Sequence, residues 1–103
     1  MNLNKLMKQA QKMQEQMAKT QAELEEKTVE VSAGGGKVKV TANGAGDVLS
    51  IKIDKEIVDP NDAAFLEEVV LQAVKDAIEQ GKALAQSEMT KITGGLGLSG
   101  LGI

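Results

Sequence analysis

Four lysines close to the start of the chain, Lys5, Lys8, Lys12 and Lys19, recur at spacings of three, four and seven residues. On an α-helix those spacings keep all four ammonium groups on one face, as a row roughly 20 Å long at the helical rise. Such a row suits a polyanion, because each lysine can neutralise one phosphate as a point charge and release its condensed counterion. The blander reading is a solubilising helix surface on which Glu15 and Lys19, four residues apart, add roughly a few tenths of a kcal/mol. Lys82 and Lys91, much later, are further candidates for the same surface, although Glu79 and Glu88 lie close to them. Lys37, Lys39 and Lys52 form a second basic group, held in reserve because a solvated sheet face carries such residues in any case.

Other reactive chemistry is scarce. The 103 residues contain no Cys and no His, which removes thiol nucleophiles, disulfides, imidazole bases and nearly every zinc, copper or haem site. Carboxylates remain, 15 of them, but acidic residues on helices usually form a solvated face. The expectation is therefore no enzyme, no cofactor, no metal and no small-molecule substrate. No segment approaches the ~20 apolar residues needed to span a bilayer, and Met1 to Lys12 is polar without an apolar core, so a cytoplasmic location is expected. The net charge of −3 is unevenly spread. Residues 1–20 carry the four lysines against Glu15 alone, a net of +3, whereas residues 56–93 carry three lysines against eight acids, a net of −5. Charges more than about 8 Å apart are largely screened at physiological salt, so an approaching polyanion feels the local row more than the global sum.

The elements that must hold these residues can be read from periodicity. Apolar or small residues fall at 3, 6, 10, 13, 17, 20 and 24, a heptad seam that degrades at Lys27, and good helix formers fill the gaps; residues 3–27 read as one helix. At Thr28 the pattern changes to period two, with Val29, Val31 and Ala33 on one side and Thr28, Glu30 and Ser32 on the other. Gly34-Gly35-Gly36 reads as a hairpin turn before Lys37-Val38-Lys39-Val40-Thr41, and Asn43-Gly44 as a second tight turn before a strand ending at Ile53. The glycine triplet lacks the Lys-Ser or Lys-Thr of a phosphate-cradling loop and joins two strands, so it is read as a turn. Asp59 and Pro60 predict a helix start, with Asp59 as N-cap and proline at the first helical position. Phe65, Leu66, Val69, Val70, Ala73, Val74, Ala77 and Ile78 follow as a broad apolar stripe, and the helix is expected to run past Gly81 to Ile92. Gly81, about 1 kcal/mol worse than Ala inside a helix, marks either a weak point or a close helix contact.

The outcome is an α+β fold of order α-β-β-β-α in two layers, a three-stranded antiparallel meander covered by helix on its apolar face only: one domain over residues 1–93, followed by a glycine-rich flexible tail over 94–103. Helices of ~37 Å and up to ~45 Å exceed a compact domain of this length, whose radius of gyration is about 13 Å, so parts of both should protrude. Aromatic residues make up only 1% of the chain, so its core must come from Val, Ile, Leu, Met and Ala. A projecting arm cannot bury Met7, Met13 and Met17 on the sheet, so they need either the other helix of the same chain or a second subunit, and a domain this small is expected to recruit further burial by oligomerising.

Three segments, in order, resemble the YbaB/EbfC family of bacterial nucleoid-associated DNA-binding proteins. They are Leu6-Met7-Lys8-Gln9-Ala10-Gln11-Lys12-Met13-Gln14, then Gly34-Gly35-Gly36 with Val38-Lys39-Val40-Thr41 and Asn43-Gly44, then Ile57-Val58-Asp59-Pro60 before an acidic helix. The resemblance spans nearly the whole chain. It implies a cytoplasmic homodimer whose helices protrude as tweezer-like arms and bind double-stranded DNA at the nucleoid without catalysis. The chain departs from the family in having no Arg at all. Bidentate reading of guanine by Arg is therefore absent, and backbone-directed binding fits better. The rival reading is an acidic, helical, dimeric protein-interaction module with no direct DNA contact, favoured by the net negative charge and the scarcity of stacking aromatics.

Overall fold

The computed structural model describes residues 2–95. Its elements follow in the order α1 (Leu3–Glu26), β1 (Thr28–Ala33), β2 (Val38–Asn43), β3 (Val48–Ile53), a short 3-10 turn at Lys55–Ile57, and α2 (Ala63–Gly95). α2 runs through the first two residues of the expected flexible tail, 94–95, and the remainder, from residue 96 onward, lies outside the described residues.

α1 begins where Asn2 caps it, its side-chain oxygen accepting from the Lys5 amide at 3.1 Å. The sheet is an antiparallel meander, β1-β2-β3. In its first turn Gly34, Gly35 and Gly36 all have positive φ, a conformation open to glycine at little cost. Gly34 has a second reason to be glycine, since a Cβ there would come within 2.9 Å of the Ile57 side chain and 3.0 Å of Val69. The register pairs Val40 with Val31 on one side and with Ile51 on the other, and a bulge at Thr41/Ala42 precedes the second turn.

The core lies where α2 crosses β1 and β2. Val31, Val38, Val40 and Ala42 are buried beneath Ala73 and Ala77, whose small side chains let the helix approach closely. Burying a valine fully is worth about 1.5–3 kcal/mol, and Val38 and Val40 are both fully buried. Val29, Leu66, Val69, Val70 and Val74 complete the rim.

Three expectations need correction. The second helix does not start at Pro60. Asp59 instead closes a turn, its carboxylate accepting from the Asn61 amide at 2.9 Å and its carbonyl from the Asp62 amide at 2.9 Å. Asp62 is the capping residue, accepting from the Phe65 amide at 3.4 Å, so the helix opens at Ala63. Secondly, the apolar face of the meander is only partly covered. Every residue of β3 is exposed, Ile51 at 44% and Ile53 at 42%, because α2 lies over the other two strands. Thirdly, Lys37 does not contribute a free charge to the outer sheet face. Its ammonium donates to Glu56 at 2.7 Å and lies 3.6 Å from Asp54. The Glu56 carboxylate, reinforced by Asp54, raises its pKa above the ordinary lysine value.

The molecule is long, measuring 72 × 25 × 16 Å, with a radius of gyration of 19.8 Å against the ~13 Å of a compact domain. Both long helices contribute to that elongation.

Candidate nucleic-acid interface

Only the last part of α1 is anchored. Leu24 is 3% exposed and Thr20 is buried, Met13 is half-buried, and the outer apolar residues Leu3 (65%), Leu6 (51%) and Met7 (57%) are open to solvent. The heptad seam therefore packs at its C-terminal end and is bare toward its start. On the helix, the lysine row lies about a third of a turn from that seam. Burial of Thr20 and Leu24 consequently turns Lys5, Lys8, Lys12 and Lys19 away from the sheet.

All four of these lysines are exposed, and among the described residues none of them is in an ion pair. Lys12 and Lys19 share a shallow polar groove with Glu15, Gln16, Thr20 and Glu23. The acids there stay outside ion-pairing distance, and the Glu15–Lys19 pair considered from the sequence does not form. Glu23 and Glu26 continue the same helical face toward the sheet, so the arm is basic at its outer end and acidic at its base.

The later candidates stand apart from this row. Lys82 is exposed on α2 beside Gly81, at the base of the arm. Lys91 is partnered, its ammonium 3.5 Å from Glu88, which also holds Lys27 at 3.2 Å. Lys27 chiefly, with Lys91 assisting, keeps the Glu88 carboxyl below the usual glutamate range. Lys39 and Lys52, cross-strand partners on the outer face of the sheet, form a separate pair of exposed cations.

A second surface was not located by sequence reasoning. Beside exposed β3, Ile53, Leu66, Val70, Leu71 and Val74 line an apolar groove, edged by Glu67. Leu71 in this groove is 55% exposed, and Ile51, on the same side of β3 as Ile53, is 44% exposed. The signal was present in the continuous breadth of the helix stripe, which exceeds what two strands can cover.

Among the described residues no group of His, Cys, Asp or Glu is placed to hold a metal ion, and no helix is long and apolar enough to cross a membrane. The structure thus presents an open sheet with a protruding arm, on which a row of exposed lysines lies outside the ion pairs of the described residues. The chain belongs to the YbaB/EbfC DNA-binding family, whose model matches residues 1–96; it is a family of DNA-binding proteins, not of enzymes. A nucleoid-associated protein of Moorella thermoacetica is 54% identical over 99 residues, covering 96% of this chain and 95% of its own. One from Ruminiclostridium cellulolyticum is 52% identical over 96 residues, covering 93% of this chain and 84% of its own. An uncharacterized protein of Helicobacter pylori, solved by crystallography, shares the fold at a TM-score of 0.77 and 17% identity, over 89% of this chain and 97% of that one.

Proposed function

We propose that the protein is a cytoplasmic, nucleoid-associated homodimer that grips duplex DNA with its α1 arms and contributes to chromosome organisation or gene regulation. The observation that carries this reading is the contrast among lysines. Lys27, Lys37 and Lys91 are neutralised by carboxylates, whereas Lys5, Lys8, Lys12 and Lys19 stand exposed and unpaired on a protruding rod. With no Arg to read guanine edges, contact is made mainly with phosphates.

Pairing of two copies is supported by the apolar surface along β3 and α2. Large exposed apolar patches on small proteins mark interfaces, and a twofold axis through Ile53 and Leu71 would bury the same patch on both protomers. Two arms then bear eight row lysines, four from each protomer.

An anisotropy titration of a DNA duplex with the parent and with a variant carrying Lys5, Lys8, Lys12 and Lys19 all changed to Gln tests the interface. Loss of binding in the variant is expected. Unchanged binding would transfer the interface to Lys39 and Lys52, and no binding by the parent at low salt would favour the acidic interaction module. Light scattering tests the pairing separately: a 10.8 kDa species at micromolar concentration would contradict it.

A further inference from the structure

α1 ends without the glycine that commonly closes a helix. Its C-cap, Lys27, is in extended conformation (φ −85, ψ 128), so the terminal carbonyls cannot be satisfied by a left-handed turn of their own chain. Glu23 O accepts from the Lys27 amide at 3.0 Å, and the carbonyls of Leu24, Glu25 and Lys27 accept from the β2–β3 turn. The Gly44 amide donates to Leu24 O at 2.8 Å and to Lys27 O at 3.0 Å, and the Asn43 side-chain amide donates to Glu25 O at 3.2 Å. Asn43 is 4% exposed, and its side-chain oxygen is engaged by the amides of Ala45 at 3.0 Å and Asp47 at 2.9 Å, so the side chain is fixed at both ends.

The third element arrives at the same place. Gly81 of α2 is buried, and a Cβ there would run into the Asn43 carbonyl oxygen. Gly44 is equally confined, since a Cβ would lie 2.7 Å from the Leu24 side chain and 3.0 Å from Leu24 O. The end of the arm, the sheet turn and the second helix thus meet backbone to backbone.

We propose that Asn43, Gly44 and Gly81 are positioning residues for the DNA grip: they set the angle of α1 against the sheet and so the placement of the lysine row. This rests on the DNA-binding reading given above. Lys5 stands about 30 Å from the junction along the helix, so a swing of ~10° carries its ammonium about 5 Å. That exceeds the ~3.4 Å axial step between successive phosphates of one strand. A loosened junction should therefore cost contacts at the outer end of the row while leaving every lysine in place.

The test uses nitroxide labels at Gln9→Cys on α1 and Ser50→Cys on β3, in a chain with no Cys of its own. Labelled protein is diluted into unlabelled so that only distances within one protomer are read. Asn43→Ala and Gly81→Ala are each compared with the labelled parent and with Val38→Ala, a truncation of a fully buried side chain at the far end of β2 from the junction. A shift or broadening of the Gln9–Ser50 distance by several ångströms is expected in both junction variants, with about tenfold weaker DNA binding at 0.1 M salt, roughly one phosphate contact. The Val38→Ala control should lose thermal stability with distance and affinity unchanged. Should Asn43→Ala or Gly81→Ala fail to fold, the isosteric Asn43→Asp carries the comparison, because it keeps the side-chain oxygen that accepts from Ala45 and Asp47 and loses the amide donor to Glu25 O. Unaltered distances, or altered distances with parental DNA affinity, overturn the positioning role. Absence of binding by the unlabelled parent at low salt overturns the interface itself, a result the label distances do not influence.

Discussion

The two ends of α1 share one sequence pattern and have different fates. At the base, Leu24 and Thr20 are buried, Lys27 is tied to Glu88, and the last carbonyls are bonded to the sheet turn. At the tip, Leu3, Leu6 and Met7 are exposed and Lys5 and Lys8 are unpaired. Neither packing nor charge pairing is completed there. Cations left unneutralised on a segment that contributes little to the fold are available to an external anion, whereas those at the base serve the fold itself. Heptad spacing identifies which face of a helix is apolar; only the neighbours decide how far along that face is used.

The contrast is most sharply broken by charge. Replacing the four row lysines with Gln should weaken DNA binding at least about a hundredfold at 0.1 M salt while leaving the thermal midpoint within a few degrees, measured by anisotropy and calorimetry. Truncation separates the ends next. Leu24→Ala should cost about 2–4 kcal/mol in denaturant unfolding, because it empties a buried site, whereas Leu6→Ala should change stability by no more than ~0.5 kcal/mol. A like change in the two would mean the tip is packed in solution. The smallest effect is electrostatic. Glu88 is depressed by Lys27, so the stabilisation it brings is complete above the ordinary glutamate range and is lost as pH falls through its lower folded-state value. As pH is lowered through and below the ordinary glutamate range, the parent midpoint should fall further than that of Glu88→Gln.

Much of this architecture was legible locally. Period three-four and period two located both helices and all strands, and glycine and Asn-Gly placed the turns. What escaped was set by distant neighbours. Pro60 and Asp59 are as compatible with a turn as with a helix start, and only the hydrogen bonds to Asn61 and Asp62 decide between them. The exposure of Ile51 and Ile53 follows from the path of α2, which strand periodicity does not encode. Lys37 looked like Lys39 in the sequence, yet the 3-10 turn brings Glu56 to it across 19 residues. Gly81 stood out within the helix pattern, but its close approach is to the β2–β3 turn, which helix periodicity does not reveal. The lysine row itself needed only spacing, because helix geometry alone puts its members together.

The most direct test of the row as the gripping surface is the salt dependence of duplex binding by the parent protein. Eight engaged lysines should give a slope of log K against log salt near −7, since each neutralised phosphate contributes about −0.9. A slope shallower than about −2 would mean that the arms do not hold the DNA.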